Sequence, residues 1–149
     1  MIRTIFLVIA FSAIFSAAHA ADRYDSMYAA IEKNDVVKVR ALLSSKTNPN
    51  QRKDTRASPT FLAQAARLGR EEIVSLLIAS GADVNGIDGD AMTPLMHASW
   101  NGHLKVVELL LKSGALVNEQ AKWGDTAMSF AKQEKHAEVI AALAKAGAK

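Results

Sequence analysis

The side chains with most chemical potential beyond residue 20 are three histidines, His97, His103 and His136; the chain has no cysteine at all. Imidazoles act as catalysts or metal ligands only when partners stand at matching spacing, as when HExxH sets two of them on one helix face. No such set occurs: the chain lacks HExxH, GxSxG, CxxC and a phosphate-cradling glycine loop. His97 could pair with a carboxylate, but it reads first as a satisfied half-buried histidine with no catalytic or metal role. His103 and His136 are 33 residues apart, each just after a turn, where capping is the ordinary role. The stretch DVNGIDGD, Asp83 to Asp90, is rich in oxygen ligands, but the ligand order, central glycine and distal glutamate of a calcium loop are not met. The expectation is no catalytic residue, no metal and no cofactor.

What remains is recognition chemistry, and the two tryptophans carry most of it. Trp100 follows the small pair Ala98-Ser99, two residues before Gly102; Trp123 follows Lys122 and precedes Gly124. Tryptophan combines a large apolar area with one polar handle and is enriched at interface hot spots. Whether these two bind a partner or pack within the chain depends on the elements that hold them.

The first segment is read apart from the fold. Arg3 precedes an apolar run over residues 5–15, and Ala18-His19-Ala20 has the small-x-small pattern of a signal-peptidase site. The run is shorter than the roughly 20 residues of a membrane span. Residues 1–20 are expected to be a cleaved leader, and residues 21–149 a single exported domain with no membrane attachment. Loss of Arg3 would leave a formal charge one lower than the whole chain's +3. Such a balance gives no reason to expect nucleic acid. An exported chain without disulfides suits a bacterial periplasm, and it must be stabilised by packing alone.

The domain repeats itself. TFLAQAARLGREEIVSLLIASGADVN (Thr60 to Asn85) and TPLMHASWNGHLKVVELLLKSGALVN (Thr93 to Asn118) align at a spacing of 33. Thr126, Met128, Ala131, Ile140 and Gly147 continue the register, and MYAAIEKNDVVKVRALLSSKTNPN enters it at a spacing of 35. Four units follow, at about 22–54, 55–87, 88–120 and 121–149, with the two extra residues in the long first connection. Within each, alanines (Ala65, Ala66, Ala98) allow a first helix to approach its neighbour closely. Ile73, Val74, Leu76, Leu77 and Ile78, like Val106, Val107, Leu109, Leu110 and Leu111, give the second helix a wide apolar face. Thr60, Thr93 and Thr126 stand where a hydroxyl caps the first helix, and Pro94 suits its first turn. Gly69 and Gly102, with Asn34 in the same slot, suit a left-handed turn between helices, as Gly81, Gly114 and Gly147 do after the second. Asp22, Asp25 and Ser26 are alternative N-caps for the first unit. Charged residues in the outer units (Glu32, Lys33, Lys38 and Arg40; Lys132, Glu134, Lys135 and Lys145) fit solvated ends of a monomeric stack.

The phased Thr-Pro-Leu, both glycines and the closing Val-Asn resemble the ankyrin repeat family across essentially all of residues 21–149. That resemblance implies an all-α solenoid of four stacked helix-turn-helix units joined by loop or hairpin fingers. It also implies a non-enzymatic module that binds a protein on the concave side formed by fingers and first helices. Mapped by slot, the candidate partner-binding residues are Arg56, Arg67, Leu68, Asp90, Met92, Trp100, Asn101, Lys122, Trp123, Asp125 and Gln133. One departure is that the family's histidine after Thr-Pro-Leu is replaced by Ala63, Met96 and Ser129, with His97 one place later. The usual hydrogen bonds from that histidine to the adjoining loop should then be missing. Exported bacterial proteins resembling this one serve as immunity proteins or inhibitors of a toxin or cell-wall enzyme, or accompany oxidative-stress enzymes. A secreted effector that binds a host protein is the further alternative.

Overall fold

The computed structural model describes residues 22–52 and 58–149. The expected leader with its expected cleavage site, and the stretch 53–57 with Arg56, lie outside these residues. Eight helices and no strand occur among them. They are α1 (residues 22–32), α2 (Val36–Ser44), α3 (Phe61–Arg67), α4 (Glu71–Ala79), α5 (Pro94–Trp100), α6 (Leu104–Lys112), α7 (Ala127–Gln133) and α8 (Ala137–Lys145). The architecture is the all-α stack of four helix pairs. Asp25 and Ser26 lie inside α1, not at its cap.

Threonine starts each later first helix. Thr60, Thr93 and Thr126 hold extended backbone, and each hydroxyl accepts from the amide three residues on, in Ala63, Met96 and Ser129. The slot emptied of histidine is not idle. Ser129 Oγ accepts from the Thr126 amide at 2.9 Å, and Met96 Sδ stands 3.5 Å from the Thr93 amide, so two of the three caps are reciprocal. The first helices end in left-handed turns at Asn34, Gly69, Gly102 and Lys135, with φ of 55, 65, 71 and 61°. At Gly102 the constraint is double, because an added Cβ would lie 2.6 Å from the His136 ring.

First helices α3, α5 and α7 pack side by side, as do second helices α4, α6 and α8. Ala65, Ala98 and Ala131 are fully buried in the first layer, where small side chains permit close approach. Between the layers lie Leu62, Leu95, Ile73, Val74, Leu77, Val106, Val107, Leu110, Val139 and Leu143. Each large aliphatic side chain among them contributes about 1.5–3 kcal/mol on burial.

Two polar ladders join the units. Asn50, Asn85 and Asn118 donate through Nδ2 to the carbonyls of Gly81, Gly114 and Gly147 and accept through Oδ1 from the amides of Asp83, Leu116 and Lys149. The second ladder starts at the residue before each second helix. Arg70, His103 and His136 reach back to the carbonyls of Glu32, Arg67 and Trp100, each at 3.0 Å. This corrects the expected role of the two histidines. Each occupies an N-cap position but makes no side-chain bond to its own helix. It satisfies instead an open carbonyl at the end of the previous unit's first helix.

Candidate partner-binding face

The fingers and the ends of the first helices place the candidate residues in two groups. The fingertip group is set by the turn that leads into α5. The Asp88 amide donates to the Met92 carbonyl at 3.1 Å, and the Ala91 amide donates back to the Asp88 carbonyl at 3.1 Å. Ala91 adopts φ 57° at the turn, where the next finger has Gly124. The Asp88 side chain closes the loop: Oδ1 accepts from the amides of Asp90 and Met92, both at 3.0 Å. Oδ2 accepts from His97 Nε2 at 2.8 Å. Burial pushes the Asp88 carboxyl up, but the hydrogen bond and charge of His97 and the two amides outweigh it and hold the group below its ordinary value.

His97 is thus a nearly buried imidazole paired with a carboxylate. It supplies the helix-to-loop contact that Met96, one slot earlier, does not make, whereas in the next unit Ser129 makes one from the earlier slot. Among the described residues no group of three or more His, Cys, Asp or Glu is placed to hold a metal ion.

The next finger repeats the backbone turn without the carboxylate. Ala121 stands where Asp88 does; its amide donates to Asp125 at 2.7 Å, and its carbonyl accepts from Gly124 at 2.9 Å. Asp125 Oδ1 accepts from Ser129 Oγ at 3.2 Å, which leaves that side chain half-buried. The two fingers meet through the Lys122 amide, which donates to the Asp90 carbonyl at 2.9 Å. Beyond that bond Trp123 is 74% exposed, with Lys122 Nζ 5.7 Å from its ring centroid.

The second group lies at the other end of the first helices. Trp100 stacks on Phe130 of α7, with centroids 4.9 Å apart and planes 5° apart, and is still 41% exposed. One indole face is intramolecular packing and the rest is surface. Asn101 caps α5, donating through Nδ2 to the His97 carbonyl at 2.8 Å. Arg67 is exposed, its Nε donating to Gln64 Oε1 at 3.1 Å, and Gln133 ends α7 exposed. Leu68 is half-buried against the core.

One expected contact residue is corrected. Met92 is only 7% exposed and belongs to the core cluster, because the turn closed by Asp88 directs its side chain inward. The two tryptophans also do not form one patch. His136 bonds Trp100 at the C-terminal ends of α5 and α7, whereas Lys122 and Asp90 meet at their N-terminal ends. Between those two ends each helix of seven residues rises about 10 Å.

Sequence reasoning missed Asp88 and Phe130. Both occupy slots that differ in every unit. The slot of Phe130 holds Gln64 and His97 elsewhere, and that non-repetition on a repeating framework was the available signal.

A stack of helix pairs with exposed side chains on its fingers and first helices defines a repeat solenoid built for protein recognition. The family pattern of ankyrin repeats, in three copies, matches residues 26–121, and the chain belongs to that family. A putative ankyrin repeat protein of fowlpox virus (strain NVSL) is 37% identical over 78 residues, 52% of this chain and 10% of the viral protein. The match thus spans about a tenth of that curated relative's length. Membership makes the chain a protein–protein interaction module.

Proposed function

We propose that the chain is a non-enzymatic module that acts in the periplasm after cleavage of residues 1–20. There it holds one protein partner on the side formed by the fingers and first helices. The observation that carries this reading is Trp123, 74% exposed on a fingertip that is itself held by backbone bonds. A large indole left in water has no folding role to explain it, and such residues supply much of the energy at interfaces. Trp100 is the second contact, a platform already stiffened by Phe130. Asp90, Asn101, Lys122, Gln133 and Arg67 form the polar surround.

The biological role we favour for this stack is neutralisation of a toxin or cell-wall enzyme as an immunity protein or inhibitor. Service beside an oxidative-stress enzyme and secretion toward a host protein are the alternatives. Cell fractionation separates a periplasmic destination from a secreted one. Pull-down from periplasmic extract, with wild type beside Trp100→Phe and Trp123→Ala, tests the surface. Loss of the captured protein in Trp123→Ala supports the reading. Full retention by folded Trp123→Ala removes that tryptophan from the interface.

A further inference from the structure

The fourth finger carries the most exposed tryptophan but lacks the side chain that organises the third. In the third finger Asp88 uses both carboxylate oxygens: Oδ1 on two amides of its own turn and Oδ2 on His97 of α5. In the fourth, Ala121 and Phe130 occupy the slots of Asp88 and His97, so no polar bridge ties that finger to α7 through them. Ser129 of α7 bonds Asp125 at the base of that finger, and its tip is joined to its neighbour by the Lys122 amide on the Asp90 carbonyl. Asp90 is the residue whose own amide Asp88 holds.

We propose that His97 and Asp88 are positioning residues for recognition, setting the pose of Trp123 through a relay that crosses from one finger to the next. The order is His97 Nε2–H to Asp88 Oδ2, Asp88 Oδ1 to the Asp90 amide, and the Asp90 carbonyl to the Lys122 amide, with Trp123 the next residue. Each step is a hydrogen bond of 2.8 to 3.0 Å. The first lies between side chains only 11% and 10% exposed, where water competes least and charge-assisted bonds hold best. Neither His97 nor Asp88 needs to touch the partner. The inference rests on the reading of Trp123 as a partner contact.

The test is hydrogen exchange resolved by residue on the whole domain, without any partner. His97→Leu keeps bulk on α5 but removes the donor; His97→Gln returns an N–H to the same slot. Loss of one charge-assisted bond should speed exchange at Asp90, Met92 and Lys122 by about tenfold. The Leu116 and Lys149 amides, held by the asparagine ladder, should stay as in wild type, and His97→Gln should restore protection at Lys122. Faster exchange at Asp90 and Met92 with Lys122 unchanged would overturn the relay. Uniform acceleration, Leu116 and Lys149 included, would overturn it too, since His97 would then act on global stability alone. Partner binding is read separately. If Trp123→Ala binds normally while Lys122 exchange follows His97, the relay stands and the recognition reading fails.

Discussion

Replacing Gly102 by alanine should cost more than the strain of its backbone, and the excess should disappear when His136 is removed. At φ 71° an L-residue pays roughly 1–2 kcal/mol. The new Cβ would also stand 2.6 Å from the His136 ring, which must withdraw and release the Trp100 carbonyl it holds at 3.0 Å. That bond is worth about 1 kcal/mol, so Gly102→Ala should destabilise by about 2–3 kcal/mol in all. His136→Ala alone should cost about 1 kcal/mol. The double variant should cost no more than Gly102→Ala, since the bond can be lost only once. Urea denaturation of the four proteins, followed by far-UV circular dichroism, closes the cycle. Additive costs would refute the reasoning, because they would mean that the histidine keeps its place beside an alanine.

Other consequences are equally direct. Lys135, exposed at φ 61° in the slot of Gly69 and Gly102, is strained in the same way; Lys135→Gly should raise stability by about 1 kcal/mol in the same assay. The folded-state pKa of Asp88 is depressed, so its contribution to stability is present above the ordinary aspartate value and is lost as pH falls through the lowered one. A urea midpoint followed against pH should therefore fall less steeply in Asp88→Asn than in wild type over that acid range. Trp100→Ala should cost about 1–3 kcal/mol by removing the stack on Phe130, whereas Trp123→Ala should shift stability by no more than about 0.5 kcal/mol.

The repeat framework was legible because each unit states the same physical demands in the same slots. A hydroxyl starts three of the first helices, small residues line their contact face, Asn34, Gly69 and Gly102 tolerate the positive φ that turns the chain, and an aliphatic stripe covers the second helix. Those demands are local or periodic, and the period shows them. Side-chain direction across units is neither. The period places His103 and His136 after their turns, but not that they reach back to carbonyls of the preceding unit, 36 residues away. It places Met92 on a finger, but the inward turn follows from Asp88, a residue the fourth unit replaces with Ala121. Trp100 looked free because its slot is free. Its partner Phe130 belongs to the next unit and replaces a polar residue there.

The central claim is that recognition runs through Trp123. The measurement that meets it head-on is the Kd of the protein captured from periplasmic extract, by titration calorimetry, for wild type and Trp123→Ala of equal stability. Truncation of an interface hot spot costs about 2 kcal/mol or more, so the Kd should rise about thirtyfold. A Kd equal to that of the wild type would contradict the claim.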